Sequence, residues 1–143
     1  MDYQSYCDKI SEKFLKSEYI SIAKNSYKML FSPKKAISGA RVYAFLINSQ
    51  KPSAKLSKAL CQYAVSAAYY DEKDTHLKTV VIPIFIGESA SFEVKAFKED
   101  GAYVLPCAVN LDSGSFKTAE KFPILSGGQF KAICDFAKSV LHP

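Results

Sequence analysis

The chain has 143 residues, 48% of them apolar and 23% charged, with a net charge of +5. Those values describe one folded domain, residues 1–143, with room for a single hydrophobic core. There is no 18-residue apolar run, which excludes a helical membrane span, and four scattered cysteines with two histidines exclude zinc-ligand spacing.

The polar start Met1-Asp2-Tyr3-Gln4 has no signal-peptide pattern and predicts a cytoplasmic, reducing compartment. Cys7, Cys61, Cys107 and Cys134 each fall on a predicted apolar face. They read as small buried thiols rather than as metal ligands, disulfide partners or nucleophiles. The basic residues are 18 lysines and the single Arg41, and lysine is a solvated point charge where arginine is a planar fork. Their placement is uneven. Residues 19–70 hold no acid and carry +8, whereas residues 1–18 carry −1 and residues 71–143 carry −2.

Tyr3, Cys7, Ile10 and Phe14 recur at helical spacing and predict a helix over about residues 2–16. Tyr19, Ile22, Ala23, Ser26 and Leu30 predict a second, capped by Ser17 and ended before Pro33. Arg41–Ile47 reads as a buried strand. Ser53 is a plausible N-cap for a helix over 54–70 whose inner face is Leu56, Leu60, Tyr63, Ala67 and Tyr70. Thr79–Ile86 is a continuous apolar strand. Strand, helix and strand at this spacing predict a crossover with parallel strands.

An antiparallel meander should follow, with strands over Ser91–Lys98 and Ala102–Val109. Asp100-Gly101 between them is a strong hairpin signal, and a two-residue loop pairs Ala96 with Leu105, Val94 with Cys107 and Phe92 with Val109. Pro83 and Pro106 are awkward inside central strands. Asn110–Ser115 is a turn, and a short strand is expected near Phe122–Leu125. Ser126 with Gln129 forms a capping box for a last helix, whose stripe is Phe130, Ile133, Cys134, Ala137, Val140 and Leu141. The predicted fold class is α+β: N-terminal helices, a β-α-β crossover, an antiparallel meander and a C-terminal helix on a mixed sheet, with the helices mainly on one face.

Two patterns invite a chemical reading. Glu93-Val94-Lys95 has the acid-x-lysine spacing of PD-(D/E)xK-type nucleases, in which two carboxylates hold a divalent ion and the lysine orients water. The second carboxylate is hard to find, because Asp74 lies about ten residues, roughly 30 Å, up the preceding strand. Glu93 and Lys95 are equally the outward positions of an amphipathic strand. Ser126-Gly127-Gly128 resembles an anion cradle, but a turn with a capping box accounts for all three residues.

The better candidate is the loop Asn48–Lys58, which leaves the carboxyl end of a parallel strand and enters a helix N-terminus, where open α/β sheets bind ligands. Its anion- or ligand-binding candidates are Asn48, Ser49, Lys51, Ser53, Lys55 and Lys58; a solvated lysine face is the competing reading. No catalytic residue, metal ligand or cofactor is assigned. The leading functional reading is a small non-catalytic binding or protein-interaction domain that engages a protein or small molecule, without a membrane. A homodimer through a sheet edge or an aromatic patch fits it. The alternatives are an anion or nucleic-acid binder using residues 19–70 and a metal-dependent nuclease using Glu93 and Lys95.

Overall fold

A computed structural model of the chain describes residues 1–34, 37, 39–48, 53–70, 78–87, 95–99, 101–119 and 127–143, without the side chains of 32, 68–70, 127 and 128. The fold is α+β, with three helices packed on a mixed eight-stranded sheet among the described residues. Helix α1 spans Tyr3–Ser11. Asp2 caps it, its carboxylate accepting the Ser5 backbone N–H at 2.7 Å, and that bond holds the Asp2 pKa below the ordinary carboxylate value. The helix ends before residue 16 because Lys13 N–H donates back to the Ile10 carbonyl and the chain turns into a strand at Phe14.

The expected second helix is not formed. Residues 14–33 are a β-hairpin instead, with β1 Phe14–Ile22 and β2 Asn25–Pro33 paired antiparallel around Ala23-Lys24. Helical spacing at Tyr19, Ile22, Ala23, Ser26 and Leu30 loses to a period of two. Ile20, Ile22, Tyr27, Met29 and Phe31 all pack in one core cluster, and β-branched and aromatic side chains suit a pleated surface. The hairpin bears a local cost. Ala23 and Lys24 have φ of 49° and 67°, left-handed values that side chains with a Cβ resist. Replacing the pair by Asn-Gly keeps the turn and removes that strain. We expect Ala23→Asn/Lys24→Gly to stabilise the protein by about 1 kcal/mol, read as a higher urea midpoint with an unchanged slope.

Strand β3 (Ala40–Asn48) is joined by α2 (Ala54–Tyr70) to β4 (Lys78–Gly87), and β3 and β4 pair in parallel as expected. Ser53 caps α2, accepting Leu56 N–H at 3.2 Å. Of the predicted inner face of α2, Leu60 is fully buried, Leu56 and Ala67 pack partly buried on the core, and Tyr63 is exposed; the buried stripe is completed by Ser57, Cys61 and Ala64. Small residues allow the helix close to the sheet, and Ser57 tolerates burial because its hydroxyl donates to the Ser53 carbonyl at 2.9 Å.

Beyond β4 the pairing departs from a simple meander. Strands β5 (Phe97–Glu99) and β6 (Ala102–Val104) form the hairpin in the predicted register, Glu99 opposite Ala102, with Gly101 at φ 81°. The strand neighbouring β4, however, is β6 followed by β7 (Cys107–Asn110), both parallel to it. The hairpin ladder ends at Phe97 opposite Val104. Cys107 and Val109, expected opposite Val94 and Phe92 (which lie outside the described residues), pair instead with Thr118 and Phe116 on one edge and with Ile84 and Ile86 of β4 on the other, so neither edge is left for the longer meander. Strands β6 and β7 keep one register against β4, which sets Pro106 opposite Pro83 at the interruption between them. Two residues without N–H are therefore accommodated where the ladder already breaks.

A turn held by Asn110, whose side-chain oxygen accepts from Asp112 and Ser113 N–H, leads to β8 (Ser115–Thr118). The strand expected near Phe122–Leu125 lies outside the described residues. Helix α3 (Gly127–Leu141) buries Ile133, Cys134, Ala137 and Leu141 as predicted.

The helices do not share one face. Helices α1 and α3 cover one side of the sheet, packing on Leu30, Val42, Ala44, Leu46, Ile82 and Ile84. Helix α2 covers the other, on Met29, Tyr43, Phe45, Ile47, Val81 and Phe85. Covering both faces is what continuous apolar runs such as Val42–Ile47 require, since alternate side chains point to opposite sides.

Candidate functional site: a cleft at the carboxyl end of β3

Strand register builds the site. Lys28 pairs with Tyr19 on one side and with Leu46 on the other, so the three form a row across β1, β2 and β3. The adjacent pair, Ile20 with Tyr27, belongs with Ile47 to the cluster on the opposite face. At this end of the sheet α1 contributes Tyr3, Gln4 and Cys7, and the first turn of α2 contributes Leu56. Together with Asn25, Ser26 and Asn48 these residues line a cleft of about 410 Å³. That volume lies within the range of small-molecule sites, and the carboxyl end of a parallel strand is where open sheets place them.

Among the described residues the lining is aromatic, aliphatic and polar, with one cation and no carboxylate. Tyr19 is 74% exposed and stands at the rim. Lys28 Nζ lies 6.0 Å from the Tyr19 ring centroid, and Lys28 makes no ion pair with a described carboxylate. The Gln4 amide is oriented by donating to Asp8 at 2.9 Å. Burial raises the Tyr3 phenol above its usual range, reinforced by its hydrogen bond with Cys7, so the phenol stays protonated. Burial also pushes the Cys7 thiol up, against the opposing pull of Lys28.

No protein-family model matches the chain, and comparisons with curated proteins and with solved structures give no match.

Of the six candidate residues, Asn48 lines the cleft. Ser53 is used as the α2 cap. Lys55 and Lys58 are exposed outside the lining, and Lys58 is 3.9 Å from Glu99 of β5, a surface pair of little energetic weight. Ser49 and Lys51 lie outside the described residues. The basic segment is divided by the sheet. Lys24 and Lys28 are at the cleft end, whereas antiparallel pairing of β2 and β3 carries Lys34 and Arg41 to the opposite end.

Glu93, with Asp71, Asp74 and Glu88, lies outside the described residues, while Lys95 is exposed. Ser126 also lies outside them, and the Gln129 amide donates to the Gly39 carbonyl at 3.0 Å. Sequence reasoning missed Tyr3, Gln4, Cys7, Tyr19 and residues 25–28 as lining. The acid-free segment from Tyr19 was the signal within reach, but reading residues 17–31 as a helix hid the row that joins Tyr19, Lys28 and Leu46.

All four cysteines are buried thiols outside disulfides, as expected. Burial orders their reactivity, with Cys61 and Cys107 fully enclosed and Cys7 and Cys134 slightly exposed. Cys107 is pushed up to about 12 by burial, and Cys7 and Cys134 are raised by the same cause. Thiolate is therefore scarce at pH 7 and increases as pH passes 9. We expect iodoacetamide to label Cys7 and Cys134 slowly in the native protein, faster with rising pH, and to reach Cys61 and Cys107 only on unfolding; mass spectrometry of time-quenched samples reads this out.

Proposed function

We propose that this protein is a small non-catalytic binding module whose ligand site is the cleft at the carboxyl end of β3. The observation that carries the reading is the lining itself: three tyrosines, two asparagines, a glutamine and one lysine converge on one concave space. Aromatic faces supply contact area at low entropic cost, and amides supply hydrogen bonds that fix orientation. Four unbridged thiols suit a reducing compartment. Among the described residues no helix is long and apolar enough to cross a membrane.

The test is a thermal-shift screen of small molecules against the wild type and Asn48→Ala. A ligand at a hundredfold excess over its Kd contributes about 2.7 kcal/mol of stability. We expect at least one compound class to raise the melting midpoint of the wild type and to do so less in the variant. Stabilisation that is identical in both proteins, or none across the library, would count against a ligand site at this cleft.

A further inference from the structure

We propose that the cleft takes an anion carried on a planar ring, the chemistry of a nucleoside monophosphate, with Lys28 holding the anion and Tyr19 the ring. The inference rests on the cleft being a ligand site and adds what class of ligand it admits. Three observations combine. The first is charge: among the described residues Lys28 is the one cation in the lining and makes no ion pair, so no described carboxylate compensates its charge in the concave site. An ammonium placed this way favours an anion, and phosphate accepts its hydrogen bonds as a point contact.

The second is the position of the ring. Tyr19 is the neighbour of Lys28 across the β1–β2 ladder, its ring centroid 6.0 Å from Nζ. The ammonium lies over one face of the ring, and the 74% exposure of Tyr19 leaves ring surface open to solvent. Stacking on such a ring is tolerant of base identity and is worth about one to two decades in affinity.

The third is the polar surround. Asn25, Ser26 and Asn48 line the same space and present donors and acceptors to a heterocycle edge or a sugar. Size favours a mononucleotide over a strand of nucleic acid. The cleft is about 410 Å³, and Lys34 and Arg41 of the same basic segment sit at the far end of the sheet, away from it.

Cys7 supplies a local reporter. It lines the cleft, whereas Cys134 on α3 does not. The experiment measures Cys7 and Cys134 alkylation, together with the melting midpoint, in the presence of AMP, adenosine, inorganic phosphate or a single-stranded oligonucleotide. The wild type is compared with Lys28→Ala and Tyr19→Ala, both side chains outside the buried core. AMP is expected to raise the midpoint by on the order of 5 °C at saturation and to slow Cys7 alkylation while leaving Cys134 unchanged. Lys28→Ala should weaken AMP binding roughly tenfold to a hundredfold and remove its salt dependence, and Tyr19→Ala about tenfold.

Adenosine binding as tightly as AMP would overturn the anion assignment. Tighter binding of the oligonucleotide with a steep salt slope would overturn the mononucleotide assignment. Protection of Cys7 by another screened compound but not by AMP would overturn the ligand class and leave the cleft as a site. If no compound protects Cys7, the class and the cleft fall together.

Discussion

Phe45→Ala is expected to destabilise the protein by about 3–5 kcal/mol, a large part of the stability of a domain of this size. Phe45 is 0% exposed and sits in the middle of β3, between β2 and the parallel β4. Its ring belongs to the cluster under α2, with Met29, Ile47, Leu60, Val81 and Phe85. Removing it leaves a cavity bounded by three strands and a helix, and a sheet held by ladders on both sides cannot collapse into the space. The neighbouring Leu46 points to the other cluster, beneath α1 and α3. Leu46→Ala should cost about 2–5 kcal/mol through that separate packing. Urea unfolding monitored by circular dichroism and by tyrosine fluorescence checks both variants. Coincident transitions in each would show that the two layers melt as one unit through the shared sheet.

Tyr6 carries the second large effect. It is fully buried in α1, and its hydroxyl donates to the Leu141 carbonyl at 2.5 Å. That bond ties the first helix to the last turn of α3 and satisfies a carbonyl that the helix end leaves without an intrahelical partner. Burial also raises the phenol above its ordinary range, so it remains a donor at every physiological pH. Tyr6→Ala should cost about 3–5 kcal/mol, combining an aromatic-sized cavity with the lost bond. Tyr6→Phe separates the two contributions. It keeps the ring, leaves the Leu141 oxygen unsatisfied and should cost about 1–3 kcal/mol. Equal effects of the two substitutions would show that the ring packing contributes little.

How far the sequence could be read depends on the kind of signal each segment carries. Val42–Ile47 and Val80–Ile86 are continuous apolar runs, and only a strand covered on both faces uses every residue of such a run. Helix α3 was equally plain, because its stripe is regular over four turns. The hairpin over residues 14–33 was not. Its strands carry apolar residues at positions compatible with either period, and its turn is Ala23-Lys24 rather than a glycine- or asparagine-rich pair. Pairing with β3 decides the matter, and no window of local sequence contains β3.

The candidate site divides in the same way. Asn48 was legible because it follows an obvious strand and precedes an obvious helix. Tyr19 and Lys28 were not, because their adjacency exists only once the hairpin forms. Tyr3 and Cys7 looked like the inner face of a helix. They are that, and the position of α1 over the end of the sheet also makes them cleft wall.

What the sequence determined by itself were the elements whose burial is dictated locally: β3, α2, β4, the β5–β6 hairpin with its register, α3 and the four buried thiols. Hydrophobic period, capping residues and the Asp100-Gly101 turn act over a few residues and need no partner to be read. Only the tertiary structure decided that residues 14–33 extend the sheet, that β6 and β7 flank β4 in parallel, and that the helices divide between two faces. Those outcomes turn on which apolar surfaces meet, a competition between distant segments in which total burial outweighs local preference. The cleft is a product of that competition, assembled from α1, β1, β2, β3 and α2 at one end of the sheet.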